Sequence, residues 1–147
     1  MKVAVYTSIT AAKDLLKEPR DRAEADLVIF SDQVREQPGW DVRSACDFFT
    51  NPRRNARAHK ILAHQYLSNY YDYSLWIDGS IRLLVPVREL IDEYLIKSDI
   101  AIFRHSVRDC IYDEAAVCTE YNLDDHGIIA AQMAKYTWEG YPAKRSQ

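Results

Sequence analysis

The run Tyr71-Asp72-Tyr73-Ser74-Leu75-Trp76-Ile77-Asp78-Gly79-Ser80 is apolar and strand-like until it stops on a carboxylate and a glycine. In α/β proteins ligands bind outside the carboxyl ends of the strands, so a strand that delivers Asp78 there offers a contact to a metal or a substrate. Upstream, Arg57 and Lys60 sit near the start of a helical pattern. A helix followed by a strand runs antiparallel to it, which brings the helix N-terminus to the edge where Asp78 emerges. An Arg, a Lys and free helix N–H groups at one edge suit a phosphate-bearing ligand; the alternative is an ordinary solvated basic face. His64 lies at least a turn deeper and is a weaker candidate.

A diphosphate leaving group needs its charge neutralised, and a carboxylate holding Mg²⁺ or Mn²⁺ beside basic side chains does that. Asp78 is the candidate metal ligand, with Ser80 adding an oxygen directly or through water and Gly79 letting the backbone come close to a sugar or phosphate. Asp before Gly also marks turns, so Asp78-Gly79-Ser80 alone is a weak motif. Further along, Phe103-Arg104-His105-Ser106-Val107-Arg108 puts polar groups at another predicted strand end. His105 can bind a metal or a sugar hydroxyl, and Arg108 a phosphate or a uronic acid carboxylate. Glu114 ranks behind them, because an acid in the first turn of a helix is explained by the helix dipole. There is no phosphate-binding P-loop, dinucleotide glycine turn, Gly-x-Ser-x-Gly elbow or His-Glu-x-x-His pair, which disfavours ATP hydrolysis, NAD chemistry and serine or zinc hydrolysis.

The elements that must position these groups alternate. Strands are expected at Val3 to Thr7, Asp26 to Phe30, Trp40 to Ser44, Tyr73 to Asp78 and Asp99 to Phe103. Helices are expected at Ala11 to Glu18, from an Asn51 N-cap with Pro52 in the first turn to about Asn69, and at Val87 to Leu95, Cys110 to Tyr121 and Asp125 to Lys135. In the long helix, Ala58, Ile61, Leu62, Gln65 and Tyr66 make an apolar stripe opposite Arg53, Arg57, Lys60 and His64. Pro19 to Glu24 reads as a polar surface loop. This order predicts an α/β fold, a mostly parallel sheet with helices on both faces.

With 147 residues the chain fits one domain, and 48% hydrophobic with 28% charged residues is an ordinary globular composition. A net charge of −3 gives no basis for a broad nucleic-acid footprint. Cys46, Cys110 and Cys118 form neither an even disulfide set nor a metal knuckle and read as reduced thiols. No apolar run reaches the roughly 18 residues of a membrane span, and Met1-Lys2-Val3-Ala4-Val5-Tyr6 enters a strand pattern directly, so the expectation is a soluble, cytoplasmic protein.

Four segments in order, Lys2-Val3-Ala4-Val5-Tyr6-Thr7, Asn55-Ala56-Arg57-Ala58-His59-Lys60, Tyr73 to Ser80 and His105 to Ala115, resemble a glycosyltransferase-like family whose best-known members are plant mucilage and pollen proteins. The specific parts are Trp-Ile-Asp-Gly and His-x-x-Arg-x-Cys-x-Tyr-x-Glu-Ala. The resemblance implies a variant of the GT-A nucleotide-sugar transferase fold acting on a uridine diphosphate sugar and a glycan or other hydroxyl acceptor. By position, Asp78 corresponds to the first acid of an Asp-x-Asp motif that holds a divalent cation, Mn²⁺ or Mg²⁺, and Ser80 takes the second acid's place. Arg57 and Lys60 match an Arg-x-x-Lys spacing for the diphosphate, Thr7 and Asp32 would meet the nucleoside, and His105 and Arg108 the sugar or acceptor. Relatives continue past the region of Tyr136 to Pro142 into a segment that helps to build the acceptor side, whereas this chain ends at Gln147. A minimal acceptor site, a partner that completes it, and a noncatalytic nucleotide-sugar or carbohydrate-binding module are the alternatives this leaves.

Overall fold

The structure is a computed structural model that describes residues 1–12, 14–18, 20 and 24–143. The chain divides into two compact units, Met1–Ile100 and Ala101–Gln147.

The first unit is built on four strands, β1 (Val3–Ile9), β2 (Asp26–Ser31), β3 (Asp41–Ser44) and β4 (Tyr73–Trp76). All pair in parallel in the order β3-β2-β1-β4, as an α/β fold of the Rossmann type requires. β1 and β2 are continuous apolar runs because both faces of the sheet are covered. On one face Val3, Val5, Ile9, Leu27 and Ile29 pack with Ile77, Val87 and Ile91, the last two from α3 (Val87–Tyr94). On the other, Ala4, Tyr6, Val28 and Phe30 meet Leu67 of α2 (Ala63–Leu67), which follows α1 (Pro52–Ile61). From β1 the chain adds β2 and β3 on one side, then crosses through α1 and α2 to place β4 on the other. The order therefore reverses between β1 and β4, and the carboxyl ends of those two strands flank the crevice.

α1 begins as its residues dictate. The Asn51 side chain accepts from Arg53 N–H at 2.9 Å, and Pro52 occupies the first turn. The single helix expected to about Asn69 is interrupted at Leu62 (φ −100°, ψ 25°), where α1 gives way to α2. The buried face also differs from the expected stripe: Ile61 is 72% exposed, while Asn55, Ala58 and His59 point inward. Hydropathy alone puts Asn and His outside, but here both have partners for their polar atoms, so burial leaves none of that hydrogen bonding unmet.

Two further expectations fail. No helix forms at Ala11 to Glu18 among the described residues: Ala11 and Ala12 adopt φ of 53° and 50°, a left-handed pair that a right-handed helix excludes. The Asp32 carboxylate accepts from Ala11 N–H at 3.0 and 3.2 Å and holds that turn. The Asp99 to Phe103 run is no strand, and Ile102 is 83% exposed. Alternation creates a face but cannot supply the hydrogen-bonding partner a strand needs. Most of the expected loop at Pro19 to Glu24 lies outside the described residues.

The second unit pairs α4 (Ile111–Glu120) with α5 (His126–Trp138). Asp125 caps α5 by accepting from Ile128 N–H at 2.9 Å. At the far end, Gly140 takes φ 77°, with Gly140 N–H to Thr137 O at 3.1 Å and Tyr141 N–H to Tyr136 O at 2.9 Å, the paired bonds of a Schellman cap. The Tyr112 hydroxyl donates to Tyr141 O at 3.0 Å, tying the cap back to α4. Among the described residues no helix is long and apolar enough to cross a membrane.

Gly79 is buried directly after Asp78, and the segment after β1 lies against it, with Lys17 N–H donating to Gly79 O at 3.2 Å. A Cβ at Gly79 would sit 3.0 Å from both Asp14 Cβ and Ile9 Cδ1. Gly79→Ala is therefore expected to destabilise by about 1–3 kcal/mol, as overpacking does. Urea unfolding of the variant reads this directly, and an unchanged midpoint would show that the 9–17 segment yields freely.

Candidate functional site

At the carboxyl end of β1 the Thr10 hydroxyl donates to Pro52 O at 2.7 Å, so the first turn of α1 stands at the rim of the sheet. Below it lies a buried polar cluster. Asn55 grips the loop before α1 twice: Phe49 N–H donates to Asn55 Oδ1 and Asn55 Nδ2–H donates to Phe49 O, each at 2.8 Å. One turn on, His59 is 1% exposed and stacked on Phe30, with ring centroids 4.3 Å apart. Cys46 N–H donates to His59 Nε2 at 3.3 Å, which assigns the ring proton to Nδ1, facing Asn55 O at 3.0 Å and Ser8 Oγ at 3.2 Å. Burial lowers the His59 pKa, with the bond to Asn55 O opposing, so the ring is held neutral.

His59 leaves Lys60 pointing outward. The Lys60 ammonium lies 3.7 Å from Asp78 Oδ1 and 5.4 Å from the centre of the Trp76 ring. Trp76 Nε1–H donates to the same Asp78 oxygen at 2.7 Å, since residues two apart along an extended chain project to one side. Tyr6 packs edge-on to Trp76 at 5.2 Å, and its hydroxyl donates to the Lys60 carbonyl at 3.3 Å. Burial pushes the Tyr6 pKa up to about 12, which keeps that hydroxyl a donor. Lys60 and Asp78 are each about half exposed. Such a pair contributes about 0–1 kcal/mol to stability.

Of the other expected residues in this unit, Arg57 is exposed on α1 and Ser80 is exposed in the turn closed by Ile81 N–H to Asp78 O at 2.8 Å. Asp32 directly follows β2 and holds the Ala11 turn. Thr7 is 0% exposed, beneath the rim, and its hydroxyl finds no hydrogen-bond partner among the described residues. The donor set is thin for a divalent cation. Among the described residues no three His, Cys, Asp or Glu side chains gather to hold a metal. Asp78 contributes a single carboxylate, one oxygen of which already meets the Trp76 N–H and the Lys60 ammonium. From this set a cation would be offered the Asp78 carboxylate and the Ser80 hydroxyl.

In the second unit His105, Arg108 and Glu114 form one cluster. His105 Nδ1 accepts from Val107 N–H at 3.2 Å and Arg108 N–H at 3.1 Å, and the Arg108 guanidinium reaches His105 Nε2 at 3.0 Å. Arg108 Nε–H is bound by the Glu114 carboxylate. Glu114, ranked second from the sequence, thus belongs with the primary pair.

His59, Asn55, Tyr6 and Trp76 were not singled out for roles by sequence reasoning. The i, i+4 spacing of Asn55 and His59 and the i, i+2 spacing of Trp76 and Asp78 were available signals, but neither reports burial or a partner across the fold.

Residues 40–146 match the TOD1/MUCI70 glycosyltransferase-like domain, and the chain belongs to that family. The match includes Arg57, Lys60, Asp78, His105 and Arg108 and leaves Thr7 and Asp32 outside it. A curated relative, described as a probable hexosyltransferase MUCI70 of Arabidopsis thaliana, is 32% identical over 94 residues. The aligned stretch is 63% of this chain and 16% of that protein, so the chain spans only a small part of the relative's length. No solved structure matches it.

Because burial lowers the His59 pKa, the unfolded chain takes up a proton at about pH 6.5 more readily than the native state does. Its contribution is complete above that pH and is lost as pH falls below it. Unfolding free energies measured from pH 7.5 to 5 should decline in the wild type and decline less steeply in His59→Gln, while His59→Gln should cost about 1–3 kcal/mol at neutral pH through unpaired buried groups. Parallel pH profiles for the two proteins would remove His59 as the source.

Proposed function

We propose that this chain is the donor-binding part of a glycosyltransferase, with a GT-A-like fold, that moves a sugar from a nucleotide diphosphate, a uridine diphosphate sugar, to a hydroxyl of a glycan or other acceptor. The observation that carries this reading is the joining of Lys60 and Asp78 at the carboxyl edge of β4, beside the point where strand order reverses, in a chain of a glycosyltransferase-like family. The relative's description as a probable hexosyltransferase supports it.

In the proposed reaction the acceptor oxygen bonds to the anomeric carbon as the bond from that carbon to the diphosphate oxygen breaks, the electron pair leaves on the diphosphate, and the acceptor hydroxyl's proton passes to solvent water or a base. Fixed positive charge beside the leaving oxygens lowers the barrier because it is already oriented when the negative charge develops. Lys60 and Arg57 are assigned that task. Asp78 orients Lys60 and offers its other oxygen to the donor. Asp32 and Thr7 are assigned to the nucleoside side, Asp32 by holding the Ala11 turn and Thr7 from beneath the rim. For the second unit the proposed role is recognition of a sugar hydroxyl or carboxylate by His105 and Arg108, with Glu114 holding the guanidinium in place.

Release of uridine diphosphate from uridine diphosphate hexoses, followed in the presence of candidate glycan acceptors, tests the reading. Asp78→Asn is expected to lower turnover by about a hundredfold or more, the scale of losing one preorganised electrostatic contact. Binding of the donor without any release would identify a binding module instead, and absence of both would refute the proposal.

A further inference from the structure

We propose that Lys60 takes the place of a divalent cation at the donor diphosphate, so that donor binding is metal-independent. This rests on the reading of the site as a nucleotide-sugar site. A bridging cation must sit about 2.0–2.6 Å from a carboxylate oxygen and complete its shell with further oxygen ligands. At Asp78 Oδ1 that approach is taken: Trp76 Nε1–H lies at 2.7 Å and the Lys60 ammonium, a like charge to any metal, at 3.7 Å. Two residues on, where a second carboxylate would complete a pair, the side chain is the neutral hydroxyl of Ser80. Among the described residues no group of three His, Cys, Asp or Glu side chains that could hold a metal includes Asp78.

The ammonium is built into its position rather than left to wander. The ammonium lies over the Trp76 ring at 5.4 Å from its centre, the Tyr6 hydroxyl donates to the Lys60 carbonyl, and the preceding residue is the buried His59. The Lys60 side chain remains half exposed. A lysine ammonium is a compact charge with three donors; at 3.7 Å it meets Asp78 as an ion pair, and its N–H groups can serve phosphate oxygens. This is the bridge between carboxylate and diphosphate that a metal ion makes elsewhere, made here by a side chain. Asp78 then acts as a positioning residue for Lys60.

Calorimetric titration of uridine diphosphate into the whole chain, once with EDTA and once with Mn²⁺, decides the matter. The wild-type Kd is expected to agree within about twofold between the two conditions, Lys60→Met to weaken binding by about tenfold or more, and Lys60→Arg to recover most of the loss. Melting temperatures should stay close to wild type, since the exposed pair adds little to the fold. The double variant Lys60→Met with Ser80→Asp, which exchanges the ammonium for a second carboxylate, should bind about fivefold or more tightly when Mn²⁺ is added. Wild-type binding that requires Mn²⁺, or Lys60→Met binding as tightly as wild type, would overturn this inference and leave the nucleotide-sugar reading standing. No binding in either condition would overturn both.

Discussion

The neutral ring of His59 is the contact on which the order of the first unit rests. It lies where three separate pieces of chain must meet: Ser8 near the end of the central strand, Cys46 in the loop leaving β3, and Asn55 one turn earlier in α1. An imidazole can donate at one nitrogen and accept at the other only while it is neutral, and burial against Phe30 enforces that state. Asn55 extends the same clamp to Phe49. Polar atoms inside an apolar layer are costly unless paired, so this set favours one arrangement of helix, loop and strand over near alternatives.

The rim inherits its geometry from that clamp. Once α1 is seated, the next side chain after His59 faces the solvent side of the helix and reaches across to β4. Lys60, Trp76, Tyr6 and Asp78 then assemble from residues far apart in the chain, each held by at least one other. Parallel pairing is equally necessary. β1 and β4 point the same way, so both deliver their ends to one edge, and the reversal of strand order between them opens space there. Gly79 keeps that edge tight by letting the segment after β1 pack on the turn that follows Asp78.

The second unit reaches its local order by different means. Its helices are bounded by side-chain and glycine caps, and its polar cluster comes from a short stretch of chain, His105 to Glu114. Contacts between residues so close in sequence need little help from the rest of the molecule, which is why the grouping of His105 with Arg108 could be read from their spacing. The pairing of Arg108 with Glu114 required one more fact, the turn of chain between them.

Sequence by itself determined the class of fold, the four strands of the parallel sheet, the Asn51 cap and the placing of Asp78 just past a strand end, because periodicity, capping chemistry and strand order are properties of neighbouring residues. It also carried the family resemblance, in the short motifs around Asp78 and His105. Tertiary structure alone decided that Ala11 and Ala12 turn instead of forming a helix, that Asp99 to Phe103 finds no sheet, that Asn55 and His59 face inward and Ile61 outward, and that the partner of Asp78 is an ammonium and an indole N–H. The physical reason is common to all four. Each depends on whether a polar group or a strand edge meets a complementary partner from a distant part of the chain, and no local pattern contains that partner.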